Sequence, residues 1–175
     1  TYSMKKKIAF LFTFLLLPGF ISAEEARLLA ISGTVEARQA REGQWVSAGQ
    51  NMEIAEGGAI RTGADGSAVA LMPNKTKVWL KESTVLEIEQ RRTLSSRLAL
   101  IFGSIKIRVP HLLRKEKFEL RTPAAVCAVR GTEFTVETTE SGKMGLNVLY
   151  GEVKLNFIVP PAKGASELYI PQGQN

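Results

Sequence analysis

The sequence predicts an all-β protein: a single domain of many short strands, shaped as a bent sandwich, a barrel or a short β-coil, behind a signal peptide. Three observations predict it. After Glu25 apolar residues alternate with polar ones along most of the chain, the period of a strand with one buried face. Turn signals recur about every 8–12 residues, the spacing of sandwiches and barrels. Beyond the N-terminus no window sustains an i, i+3, i+4, i+7 apolar stripe for more than about two turns.

The strands follow in order. Leu29, Ile31 and Val35 alternate with small or polar residues, and Gly33 interrupts them as a bulge or close backbone approach would. Turns at Arg41–Gln44 and Ala48–Asn51 flank Trp45-Val46. Glu56-Gly57-Gly58 precedes Ala59–Arg61, Gly63–Gly66 precedes Ala68–Leu71, and Pro73-Asn74 leads into Val78–Leu80. The best helical candidate, Ser83–Leu94, reads better as strand because Thr84, Val85 and Ile88 are β-branched. Two stretches share a looser pattern of strand, glycine, strand: Leu98–Gly103–Val109 and Met144–Gly151–Phe157. Glycine there allows a sharp corner, and sheets that bend repeatedly can close and remove their edges. Phe118-to-Arg121 and Val126–Val129 supply further strands, Leu168–Ile170 a last one, and the sequence stops just after a turn, as a fragment of a longer protein would.

Residues 1–23 read as a secretory signal peptide with Met4 as the start: Lys5, Lys6 and Lys7, then an uncharged run from Ile8, then Ile21-Ser22-Ala23 before Glu24. The apolar stretch is shorter than the ~20 residues a spanning helix needs. The competing reading is an uncleaved signal-anchor, which would be the chain's one attachment to a membrane. The all-β domain is then expected over 24–175. Removing three lysines leaves 20 basic against 17 acidic residues, so the pI near 9.6 is partly that of the leader and is no evidence for nucleic acid. One cysteine makes no intrachain disulfide, and the fold must stand on its core.

Two blocks stand out. One reads Glu56-Gly57-Gly58-Ala59-Ile60-Arg61-Thr62-Gly63, followed by Gly66-Ser67-Ala68; the other reads Phe118-Glu119-Leu120-Arg121-Thr122-Pro123, then Val129-Arg130-Gly131-Thr132-Glu133-Phe134. On these the chain resembles the FecR family, with supporting matches at Gly33-Thr34-Val35, Trp45-Val46, Gly49, Gly103 and Gly151-Glu152-Val153. Two turns depart from the family pattern: Gly58 stands where members usually carry an acid, and Asn74-Lys75-Thr76 where many have Asp-Gly-Ser. The resemblance implies a non-catalytic domain outside the cytosol. The best-known members are iron-citrate signal transducers, which the chain resembles only in their periplasmic domain; iron regulation is not implied.

The motif residues Arg61, Thr62, Gly63, Thr122, Pro123, Arg130, Gly131, Thr132 and Phe134 are read as architecture. Gly131 suits a positive φ where a strand turns. The five donors of Arg130 suit corner carbonyls or a carboxylate such as Glu133 or Glu152. Pro123 keeps Thr122 extended. Catalysis finds little support. Cys127 and His111 are single, and Cys127 lies among Ala124–Val129 as a core thiol. One Cys and one His make no zinc site, and no cofactor is expected. Gly57-Gly58 opens no helix, so no phosphate loop is indicated.

Charge is uneven. From Arg91 to Arg121 there are nine basic and two acidic residues. Alternation puts Lys106 and Arg108 on one face of their strand, and Lys117 and Arg121 on one face of theirs, with Lys115 beside them. If those strands pair through the Pro110–Arg114 loop, they form a basic stripe for an anionic partner. The expected function is therefore an exported binding or scaffold module of the bacterial envelope, serving signalling, whose partner is an envelope protein or an anionic envelope polymer. Nucleic acid is not expected, since no interleaved aromatics offer a stacking platform. The alternatives are an envelope enzyme acting on glycan and a sensor fragment of a larger signalling protein.

Overall fold

The computed structural model describes residues 25–92, 94–159 and 166–174. The signal peptide expected at 1–23 lies outside the described residues. The described residues form fifteen strands and no helix: β1 (Ala26–Ser32), β2 (Val35–Arg38), β3 (Val46–Ser47), β4 (Glu53–Ile54), β5 (Ala59–Thr62), β6 (Ser67–Leu71), β7 (Lys77–Leu80), β8 (Val85–Arg92), β9 (Ser95–Arg108), β10 (Lys117–Arg121), β11 (Ala125–Val129), β12 (Glu133–Thr138), β13 (Met144–Tyr150), β14 (Glu152–Phe157) and β15 (Glu167–Pro171).

Most of them belong to bent antiparallel ribbons. β1 and β2 meet at a corner at Gly33 and pair with β6 and β5, whose own corner is the Gly63–Gly66 turn. β7 and β8 meet near Ser83 and pair with the two halves of β9, which bends at Gly103. β11 and β12 meet at Gly131 and pair with β14 and β13, which meet at Gly151. The result is one continuous mixed sheet folded into two walls. The first wall runs β4-β1-β6-β7-β9-β12-β13, using the second half of β9. The second runs β3-β2-β5-β8-β9-β10-β11-β14-β15, using the first half. β10 lies parallel to β9, in register Lys117↔Ser95 through Arg121↔Ala99. The free edges approach where the Gly173 N–H donates to the Val148 carbonyl at 2.9 Å.

One apolar cluster fills the space between the walls. Leu28, Ile54, Ile105, Ile107 and Phe134 enter from the first, and Ile60, Leu86, Leu98, Leu100 and Phe118 from the second. Burying each such side chain contributes roughly 1.5–3 kcal/mol. Most corners hold a residue with a positive φ, the Gly63–Gly66 turn being the exception. Gly103 has φ 105° and Gly151 φ 83°, as strand–glycine–strand spacing led one to expect. Gly33, read from sequence as a bulge or a close backbone approach, is the latter: a corner with φ 63° where a Cβ would lie 2.1 Å from the Asp65 carbonyl oxygen, the register shift in β1 falling between Leu28 and Ala30. Corners define two ends of the molecule. Gly33, the Gly63–Gly66 turn, Ser83 and Gly103 cluster at one, tied by Thr34–Gly63, Ser83–Gly63 and Thr84–Ser104 hydrogen bonds. Gly131 and Gly151 stand at the other, where a Cβ on Gly151 would come within 2.9 Å of the Gly131 carbonyl. β10 runs from the Gly131 end, where Phe118 pairs with Val129, to the Gly103 end, where Arg121 pairs with Ala99.

Candidate functional site

The two motif blocks fold into corners. In the first, the Thr62 hydroxyl donates to the Lys81 carbonyl at 2.6 Å and accepts from the Thr84 N–H at 3.0 Å. Gly63 donates to Thr34 at 2.8 Å, and its carbonyl accepts from Ser83 at 3.0 Å. Arg61 points out of the second wall, donates to Glu36 at 2.6 Å and stacks 4.4 Å from the Trp45 ring centroid. Arg38 covers the same ring at 5.0 Å and pairs with Glu87 at 2.6 Å. The Arg61 hydrogen bond holds the Glu36 carboxyl below its usual range.

In the second block, Thr122-Pro123 forms the turn from β10 to β11: the Thr122 hydroxyl accepts the Ala125 N–H at 3.1 Å and Pro123 lies against Gly142. Arg130 donates to the Leu112 carbonyl at 3.2 Å, not to Glu133 or Glu152. Gly131 has φ 61° and donates to Pro110 at 3.1 Å. The Thr132 hydroxyl donates to the Glu152 carbonyl at 3.0 Å, and Phe134 is wholly buried. The Asn74-Lys75-Thr76 turn keeps the geometry of a glycine turn. Lys75 takes φ 65°, and the Asn74 side chain accepts the Thr76 N–H at 3.1 Å.

The basic stripe is a correction. Lys106, Arg108, Lys115, Lys117 and Arg121 do not form one band, because β10 pairs with the first half of β9 while Lys106 and Arg108 lie on the second half. The loop over 109–116 carries the chain from one wall to the other, so the pairs face away on different walls. Most of these cations are also occupied. Arg108 and Lys106 both bind Glu133, at 2.7 and 2.6 Å, and flank Trp79 at 5.6 and 5.8 Å. Arg121 pairs with Glu89. Lys115 and Lys117 are exposed.

Glu133 carries a pH dependence. Hydrogen bonds from Arg108 and Lys106 pull its carboxyl down to about 2. A lowered folded-state pKa contributes stability above the unfolded value near 4.3, and that contribution fades as pH falls towards about 2. Both partners are well exposed, so solvent screening holds the contribution to the order of 1 kcal/mol. Glu133→Gln should therefore melt below the parent at pH 7, with the two curves converging as pH approaches 2; a pH-independent gap in thermal melts would contradict this account.

An open groove of about 470 Å³ crosses β10, β11 and β14 on the outer face of the second wall. Its floor is Ala128, which lies in one row between Glu119 and Lys154. Arg97 holds Glu119 at 2.7 Å and Glu167 holds Lys154 at 2.6 Å, so both sides are fixed. Arg114, Lys117, Arg130 and Glu152 line its end nearest Gly131. Ala128, Glu152 and Lys154 escape sequence reading as a site because the row exists only once β14 has paired with β11; the available signal was that Ala128 and Arg130 share a face of one strand. Cys127, one residue away, points into the core, where burial pushes its thiol up to about 12. His111 is exposed in the loop over 109–116. Among the described residues no group of three or more His, Cys, Asp or Glu side chains could hold a metal ion, and no helix is long and apolar enough to cross a membrane.

The groove and every corner but Gly33 lie within the span of a known family. A family model described as FecR protein matches residues 58–154, from the start of β5 into β14. No curated protein matches the chain. Two crystal structures of a candidate anti-sigma factor from Parabacteroides distasonis ATCC 8503 share its fold, each with a TM-score of 0.56, 19% sequence identity and 65% of this chain covered. The alignment takes in 51% of that protein, so the chain spans about half the length of the structures it matches. With its family-model match covering more than half of the sequence, the chain belongs to the FecR protein family.

Proposed function

We propose that this chain is an exported, non-catalytic binding module of the bacterial envelope that serves signalling by holding a protein or an anionic polymer in the groove over Ala128. The observation that carries the reading is the placement of that groove. It is built by β10, β11 and β14, inside the family match, and the motif residue Arg130 lines it. An open groove with a small apolar floor and fixed charged sides suits an extended partner better than a reacting centre, which needs enclosed, convergent groups. The chemistry of the side chains points the same way. The thiol is buried and held neutral, and Glu36, Glu87, Glu89, Glu119 and Glu133 are engaged by arginines. The family, and the anti-sigma description of the structural neighbour, support the signalling role. The reading of residues 1–23 as a leader supports export.

Filling the groove tests the reading. Ala128→Phe adds bulk at a half-buried outward position of a strand, where an aromatic residue is well tolerated. The parent chain should retain a partner from envelope extract at low salt and lose part of it at high salt. The variant should melt normally and retain none. Equal capture by the two proteins, or release of sugar from envelope glycan by the purified chain, would overturn the proposal.

A further inference from the structure

The Gly131 end displays side chains that neither the core nor the groove floor uses. Leu113 is 70% exposed and Leu94 is 55% exposed. They stand on two loops stitched together by backbone. The Lys117 N–H donates to the Leu94 carbonyl at 2.9 Å, and the Glu116 N–H donates to the Leu113 carbonyl at 2.9 Å. The Glu116 carboxylate closes its loop by accepting the Leu113 N–H at 2.6 Å. Tyr150, 65% exposed, stands at the same end, just before the Gly151 corner.

Charge is arranged around these residues. Arg114, Lys115 and Lys117 are exposed and have no ion-pair partner among the described residues, whereas Lys106, Arg108, Arg97, Arg121 and Lys154 all have one. The acids nearby are Glu116, engaged with its own loop, Glu133, held by Lys106 and Arg108, and Glu152. The Gly103 end has the opposite character: Asp65, Glu82, Glu137 and Glu140 gather there with Lys81 and Lys143. Single exposed leucines are ordinary. Two leucines and a tyrosine beside three unpaired cations, at the positive end of a molecule whose other end is negative, are the composition of an interfacial anchor. Leucine enters the boundary between headgroups and acyl chains, tyrosine sits at headgroup level, and lysine and arginine meet lipid phosphate. These groups project from loops and strand ends at one end of the molecule, not from a broad wall, which suits a planar lipid surface better than a protein interface.

We propose that the chain docks through its Gly131 end on an anionic phospholipid surface, with Leu94 and Leu113 entering the headgroup region and Arg114, Lys115 and Lys117 contacting lipid phosphates. The envelope reading enters only in saying where that lipid would be met. Arg114 and Lys117 also border the groove, so Ala128 on its floor and Lys115 outside it are the positions that test the two sites apart.

The experiment uses the full chain with Leu113→Cys carrying an environment-sensitive fluorophore. Cys127 is fully buried, so the label goes to position 113. A second preparation carries the label at Ser141→Cys, in the hairpin turn at the Gly103 end, where it reports docking through the opposite end of the molecule. Vesicles of phosphatidylcholine containing phosphatidylglycerol should shift the emission of the label at 113 to the blue. Phosphatidylcholine alone should not, and the label at 141 should stay unchanged. Lys115→Glu reverses a charge outside the groove and should weaken vesicle binding roughly tenfold or more. Ala128→Phe should leave it intact. An unshifted label at 113, an equal shift at 141, an equal shift on neutral vesicles, or full retention of binding by Lys115→Glu would each overturn the proposal. Loss of partner capture by Ala128→Phe with vesicle docking retained would support both readings, and vesicle docking without any partner capture would support this one alone.

Discussion

Gly103→Ala should strongly destabilise the native fold. The corner of β9 has φ 105°, a conformation that L residues rarely adopt, and a Cβ there would lie 2.4 Å from the Thr84 hydroxyl oxygen and 2.5 Å from the Thr84 Cα. The backbone strain alone costs roughly 1–2 kcal/mol. The clash adds more, because the neighbour is backbone and cannot turn aside. Thr84 is also fixed: its hydroxyl accepts the Ser104 N–H at 3.0 Å, and its N–H reaches Thr62 at 3.0 Å. A loss of about 4 kcal/mol or more is expected, against a total stability of roughly 5–15 kcal/mol for a typical protein. Gly145→Ala is the control. Nothing lies within 4 Å of its missing Cβ, and its effect should stay within about 0.5 kcal/mol. Thermal melts followed by circular dichroism decide the matter: a Gly103→Ala protein that melts within a few degrees of the parent would refute the corner account.

Phe134→Ala should cost about 3–5 kcal/mol in urea unfolding. Phe134 is the first core residue after the Gly131-Thr132 corner and is fully buried between Ile107 of β9 and Val148 of β13. Truncation opens a cavity in the middle of the first wall, where hydrogen-bonded strands on both sides cannot collapse into it. Phe134→Leu keeps most of the volume and should cost less than half as much. Partner capture per folded molecule should be unchanged in Phe134→Leu, because this side chain faces away from the outer surface. A Phe134→Leu protein of near-normal stability that no longer retains a partner would move this residue from architecture to recognition.

What could be read from the sequence was local. Alternation gives each strand its inner face, and the apolar stretches on either side of Gly103 and Gly151 announce corners because only glycine interrupts them cleanly. Ser83 could not be read this way, since it takes φ 50° with a side chain and looks like any polar turn residue. Lys75 hides its turn for the same reason. The separation of Lys106 and Arg108 from Lys117 and Arg121 was out of reach because it depends on which half of β9 receives β10. A fourteen-residue strand with a glycine inside offers two halves with the same alternation, and nothing local chooses between them. The groove has the same origin. Ala128 reads as one small residue among several until β10 and β14 set Glu119 and Lys154 on either side of it. The exposed leucines at 94 and 113 lie in sequence stretches that also hold buried ones, such as Leu98 and Leu112, and hydropathy does not tell them apart.

The bent ribbons have a mechanical corollary. Because the same peptide chain passes from one face to the other at each corner, neither face can peel or slide without dragging its counterpart. A molecule wired in this manner answers a pull on its flank by turning as a rigid body. Whatever takes hold of it therefore gains a stiff lever, able to relay orientation across its width without any change of internal shape.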